Sequence, residues 1–205
     1  MQEQSEQLTT ILDRLAKMLE KVRSAFIHQQ PGQLDSLQQD RQDLLEEIAF
    51  AGAQADDRMF GLALKSRRRF YRYQSILAHL DMAAGAIASL GEATLMQIRD
   101  GIPFSDQAVQ QVTLLFEYQK NILDSLTEAV KRGDRGPLRQ VIESSRELCR
   151  YCLRFGTHHE TRLVEGLCLP RSAPLFLSIL DWMQTLSHHE VETVKLLNRW
   201  LRKEV

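Results

Sequence analysis

Three groups of side chains in this sequence have the types and spacing for chemistry. The first is Cys149-Arg150-Tyr151-Cys152, with His158, His159 and Cys168 downstream. Thiolates and imidazoles in that order could close a tetrahedral zinc site. Their positions argue otherwise. Cys149 and Cys152 fall on an apolar stripe of helical period, where unpaired cysteine packs as a small hydrophobe. A redox Cys-x-x-Cys belongs beside a β-α-β pattern, which is absent. The expectation is that Cys149 and Cys152 are buried, reduced and metal-free.

The second group is the histidines. His158-His159 and His188-His189 are adjacent pairs, and neighbours on a helix point about 100° apart, so one helix does not chelate with them. A di-iron bundle needs an acid three residues before its histidine. Residue i−3 of each histidine is Ala25, Ile76, Phe155, Gly156, Thr185 or Leu186, none acidic. Ferritin-like oxidase chemistry is excluded. The third group is Lys65, Arg67, Arg68, Arg69 and Arg72. Clustered cations could hold a phosphate, an acidic partner or lipid headgroups. Their place at a helix start opposes the helix dipole, which prefers cations at the other end. Arg67, Arg68, Arg69 and Arg72 are therefore the expected partner-binding residues. The sequence has no nucleophile elbow, P-loop or dinucleotide fingerprint. It reads as a non-enzyme without a catalytic residue or cofactor.

The elements that must carry these residues are helices. Apolar residues recur with helical period at Leu8, Ile11, Leu15, Leu19, Val22 and Phe26, and again at Leu34, Leu37, Leu44 and Ile48. A third stripe runs from Phe70 to Leu90, a fourth from Val109 to Val130, a fifth from Leu138 to Cys152, and a sixth from Leu175 to Leu197. No segment sustains strand-like alternation. Breaks are placed at Gln30-Pro31-Gly32, Asp100-Gly101-Ile102-Pro103 and Gly133-Asp134-Arg135-Gly136-Pro137. Gly156 to Pro174 reads as a long connection, with Ser172 as the cap of the last helix. The stretch from Ala55 to Lys65 is either a continued helix or a bent connection.

The stripes repeat. Laying Gly32 on Gly136, a shift of 104, matches Ile11 with Leu115, Leu19 with Leu123, Leu37 with Val141 and Ile76 with Leu180. The fold class is all-α: two tandem three-helix units, residues 1–100 and 104–205, side by side in an elongated bundle.

Composition narrows the class. The chain has 205 residues, and 26 Lys+Arg against 27 Asp+Glu leave a net charge of −1. That balance gives no bulk attraction for nucleic acid. No apolar run approaches the roughly 20 residues of a membrane span. The opening MQEQSEQ is not a secretory leader. Three cysteines, an odd number, suit a reducing compartment. The expected location is the cytoplasm, with the inner face of the membrane as a peripheral option.

From His159 to His188 the sequence adds a resemblance. Arg162-Leu163, Glu165-Gly166, Leu177 to Leu180, Asp181 and Ser187-His188 resemble the PhoU family, and more narrowly the PhoU-like cytoplasmic domain of sodium/phosphate cotransporters. The resemblance implies a tandem of three-helix bundles. It also implies a regulatory or accessory role in phosphate transport, exerted on a transporter or signalling protein. Stand-alone members carry an acidic signature, Asp-Leu-Glu-Arg-Ile-Gly-Asp-His, whose acids hold metal clusters. Here the two stretches read His79-Leu80-Asp81-Met82-Ala83-Ala84-Gly85-Ala86 and Asp181-Trp182-Met183-Gln184-Thr185-Leu186-Ser187-His188. The acid pair has become Asp81/Gly85 and Met183/Ser187. A hard cation wants about six oxygen ligands, and a lone aspartate offers at most two. Asp81, Asp181 and His188 are thus weak metal candidates, and His79 with His188 would suit only a softer ion such as zinc. No multinuclear cluster is expected. The alternatives are a helical adaptor unrelated to phosphate and a metal-binding helical protein using Cys149, Cys152 and Cys168. A homodimer stays among the options.

Overall fold

The computed structural model describes residues 2–62 and 64–201, with the side chains of residues 64–66 outside that description. Six long helices make up the described chain: α1 (Gln2–His28), α2 (Leu37–Met59), α3 (Leu64–Arg99), α4 (Asp106–Arg132), α5 (Gly136–Val164) and α6 (Ala173–Trp200). Short 3₁₀ turns, Pro31–Leu34 and Pro170–Ser172, precede α2 and α6. Among the described residues there is no strand. At 1.5 Å per residue the helices run about 35–54 Å, which makes the bundle elongated.

Each stripe became a buried face. Leu8, Ile11, Leu15 and Val22 of α1 are fully buried, as are Val112, Leu115, Phe116, Ile122 and Leu126 of α4. α1 packs on α2 and α3, and α4 packs on α5 and α6. The two groups of three join through α1 against α4 and, most extensively, α3 against α6. Aromatic side chains cross the join. Phe26 of α1 lies 6.0 Å from Phe116 of α4, and Tyr73 of α3 stacks on Trp200 of α6 at 6.3 Å. Such pairs add to the burial of apolar area.

The helix ends follow the shift read from the stripes. α1 and α4 are both 27 residues long, and Gln2 and Asp106 are 104 apart. Both stop at a left-handed residue at the same register: Gly133 at φ 62 after α4, and Gln29 at φ 55 after α1. Glycine takes that conformation without a Cβ penalty. Gln29 takes it with its side chain donating to Phe26 O at 2.6 Å.

Two sequence readings of boundaries are corrected, and one left open is decided. Gly156 does not open a connection, because α5 runs on to Val164. It lies inside the helix facing Leu180 and Leu177 of α6, where a Cβ would make ordinary contacts at 3.8 and 3.9 Å. His159 to Val164 therefore close α5 rather than belong to a connection. Ser172 sits at the N-cap of α6 without a side-chain cap bond; its hydroxyl donates to Leu169 O at 2.7 Å. Of the two alternatives for Ala55 to Lys65, the connection holds: α2 ends at Met59 and α3 starts at Leu64. Ser105 is the side-chain cap the sequence reading passed over: its Oγ accepts from Ala108 N at the start of α4.

Candidate functional site

The arginines stand in the first turns of α3, distributed around the helix. Arg67 donates from Nε to Leu62 O at 2.8 Å, which ties it to the chain before the helix. Arg69 lies over the Trp200 ring, 5.1 Å from its centroid. Arg72 is partly buried, and Arg68 is exposed. The side chain of Lys65 lies outside the described residues. Among the described members Arg68 is the exposed one, while Arg69 spans the contact between α3 and α6.

The weak metal candidates are dispersed. Asp81 is bound to Arg41 of α2 through a 2.5 Å ion pair, which occupies one of its oxygens. Asp181 and His188 are exposed. Gly85 supplies no ligand atom, and Met183 and Ser187 are buried in the bundle. Among the described residues no group of three or more His, Cys, Asp or Glu is placed to hold an ion. The side chains at these positions do not fit a carboxylate-held multinuclear cluster.

The cysteine reading needs a correction. Cys152 is buried, 2% exposed, and burial pushes its thiol up to about 12. Cys149 is only half-buried. It lines a groove of about 760 Å³ between α5 and α6, together with Ser145, Arg150, Gln184, Ser187 and Lys195. Its stripe position lies at the edge of the apolar face, where the neighbour is a serine and not a leucine. Burial raises its thiol, and the nearby Ser187 hydroxyl works the other way. Cys168 is partly buried in a separate cavity of about 180 Å³ lined also by His159, Ser172 and Phe176. There the buried His159 ring stacks on Phe176 at 4.5 Å.

Two features of the α5–α6 and α3–α6 interfaces escaped the sequence reading. Glu190 of α6 is 1% exposed, and neither carboxylate oxygen has a hydrogen-bond partner. Burial alone pushes its carboxyl well above the usual range. The signal was present: Glu190 is four residues after Leu186 and four before Val194, both on the buried stripe. His79 of α3 meets His189 of α6, with the two Nδ1 atoms 3.2 Å apart. His188 rests edge-on against His189, with ring centroids 5.2 Å apart. Burial holds the His79 and His189 imidazoles below their ordinary value, and the positive neighbours His188 and Lys195 push His79 the same way. The Glu192 carboxylate opposes that shift at His79. No spacing rule within one helix could have found a pair 110 residues apart.

Comparison with known proteins bears on what this arrangement serves. No protein-family model matches the chain, and no curated protein matches it in sequence. Solved structures do. The crystal structure of PhoU from Pseudomonas aeruginosa superposes with a TM-score of 0.84 at 11% identity, covering 97% of this chain and 95% of that one. The chain has the PhoU fold. The phosphate transport system regulatory protein PhoU from Streptococcus pneumoniae agrees, also with a TM-score of 0.84 at 11% identity, over 97% of this chain and 93% of that one. The PhoU fold therefore accounts for 97% of the chain. At this identity the likeness speaks for the fold, which places the α3–α6 contact and its flanking groove inside a PhoU-type bundle.

Proposed function

We propose that this chain is a non-enzymatic regulatory or accessory protein of phosphate transport that works through protein–protein contacts. The likeness to PhoU structures along 97% of the chain carries the reading. The sequence resemblance over residues 159–188 supports it independently, and points toward the cytoplasmic domain of sodium/phosphate cotransporters as the nearer type. The units are residues 1–100 and 104–205, related by the shift of 104. The partner is a phosphate transporter or a signalling protein, met at the inner face of the membrane. No described helix is long and apolar enough to cross a membrane, so such a meeting is peripheral. Arg67, Arg68, Arg69 and Arg72 form the contact, with Arg68 as the exposed member that reaches an acidic surface.

The test is capture of partners from cells grown with ample phosphate and from cells starved of it. The tagged chain is crosslinked in the cell and recovered with membrane proteins. A phosphate transporter or its signalling partner should be recovered, and Arg68→Glu should reduce its yield severalfold. Recovery of the same unrelated soluble proteins in both conditions would overturn the reading in favour of a general adaptor.

A further inference from the structure

Between α2 and α3 the chain gathers positive charge and leaves an aromatic ring in water. Residues 58–72 hold six cations, Arg58, Lys65, Arg67, Arg68, Arg69 and Arg72, and no acid. Asp56 and Asp57 precede the run, and Asp56 accepts a hydrogen bond from Gln74 at 2.6 Å. Arg58 is exposed and pairs at the surface with Glu3, a bond that yields at little cost. Phe60, in the turn after α2, is 94% exposed, more than any other large apolar side chain among the described residues. Arg67 ties that turn to the first turns of α3 through its bond to Leu62 O. On α3 the exposed residues Arg68, Tyr71 and Ser75 follow at i, i+3 and i+7, so an arginine and a tyrosine share one open face.

Each half of this arrangement is unfavourable in water. An exposed ring forgoes burial, and like charges at the positive end of a helix repel one another and the dipole. One kind of surface relieves both. An acidic protein surface answers the cations and leaves the ring unanswered. A bilayer of anionic phospholipid supplies phosphates for guanidinium groups and an interface in which an aromatic ring settles. The net charge of −1 gives no bulk attraction to such a bilayer, so attraction must come from the local patch. The opposite tip does not offer the same match. Val164 and Leu167 are exposed there, but Arg162 and Arg171 stand among Glu160 and Glu165. That tip lies at the other end of α6, about 42 Å along the helix from the Trp200 ring on which Arg69 rests.

We propose that the α2–α3 turn and the first turns of α3 dock on an anionic phospholipid bilayer, with Phe60 entering the interface and Arg68 and its neighbouring cations meeting headgroup phosphates. This deepens the proposed contact. It rests on the assignment of these arginines as contact residues, and not on a role in phosphate transport.

The experiment is cosedimentation of the full chain with vesicles of phosphatidylcholine alone and of phosphatidylcholine with a third phosphatidylglycerol, from low to high sodium chloride. The expected result is binding to the anionic vesicles only, falling as salt rises. Arg68→Glu should lower the affinity at least tenfold, and Phe60→Ser severalfold; both side chains are exposed, so neither change should disturb folding. Arg171→Glu at the opposite tip should leave binding unchanged. Phe60→Trp should add an emission that shifts to the blue on anionic vesicles and is quenched by brominated acyl chains, beyond any change in the parent with its two tryptophans. Absence of binding to anionic vesicles at low salt, or binding that Arg68→Glu and Phe60→Ser leave unchanged, would overturn the proposal. Partner capture in cells reads the phosphate-transport proposal separately: vesicle binding without a captured transporter would uphold the docking and sink that role.

Discussion

Glu190→Met should stabilise the protein, and by an amount that grows with pH. The carboxyl of Glu190 is buried with no hydrogen-bond partner for either oxygen. A buried polar group left unsatisfied costs about 1–3 kcal/mol. Methionine has a similar reach and adapts to irregular space, so removal of the carboxyl carries little packing loss. For a chain of this size a gain of 1–3 kcal/mol corresponds to roughly 2–12 °C in melting temperature. The pH dependence has a definite sign. The folded-state value is raised above the unfolded one, so the unfolded chain ionises first as pH rises. Native stability is then lost progressively above the unfolded value, near 4.5, until the folded group itself ionises. The advantage of Glu190→Met should therefore be smallest near pH 4 and larger at pH 8. Calorimetric melts of both proteins across that range measure it. A variant that melts lower than the parent at pH 8 would show that the carboxylate has a partner, and the reasoning would fail.

Other expectations follow from the same interfaces. Gly133→Ala should cost about 1–2 kcal/mol, because it forces a Cβ into the left-handed end of α4, and urea denaturation will measure it. Cys152→Ser should lose about 1–3 kcal/mol by placing a hydroxyl in the core, whereas Cys149→Ser, beside Ser187 in an open groove, should lose well under 1 kcal/mol. Thiol labelling should separate them as well: Cys152 should react only on unfolding, and Cys149 slowly in the native protein, faster as pH rises toward its raised value. Arg41→Ala, which breaks the partly buried pair with Asp81, should cost about 1 kcal/mol in the same denaturation assay.

The helices were legible because their cores are continuous stripes. Leu8 to Phe26 and Val109 to Val130 repeat the same period at the same offset, and period is the strongest signal a helix leaves. Ends were less legible, since the residues that usually stop a helix do not always do so. Gly156 looked like a break, yet it lies inside α5, its backbone in ordinary helical form opposite Leu177 and Leu180. Ser172 looked like a cap, yet its hydroxyl turned to Leu169. The degraded acid signature at Asp81 and Asp181 could be read directly, and the Arg41 partner of Asp81 could not. Contacts between helices depend on rotation and crossing angle, which the one-dimensional pattern does not hold. His79 and His189 are the sharpest case. The motif sets His79 beside His188, and only the α3–α6 crossing shows that the ring it meets is His189. Cys149 shows the reverse error, where a stripe residue lies at the margin of the buried face and opens onto a groove.

The function proposed for this chain is a role in phosphate transport. It is tested most directly by the initial rate of radiolabelled phosphate uptake in cells lacking this chain, compared with the same cells given it back, each grown with ample phosphate. The expected result is a severalfold change in uptake on loss, restored by the native chain and not by Arg68→Glu. Equal rates in all three, with the protein present and folded, would contradict the claim and leave a PhoU-type bundle put to another use.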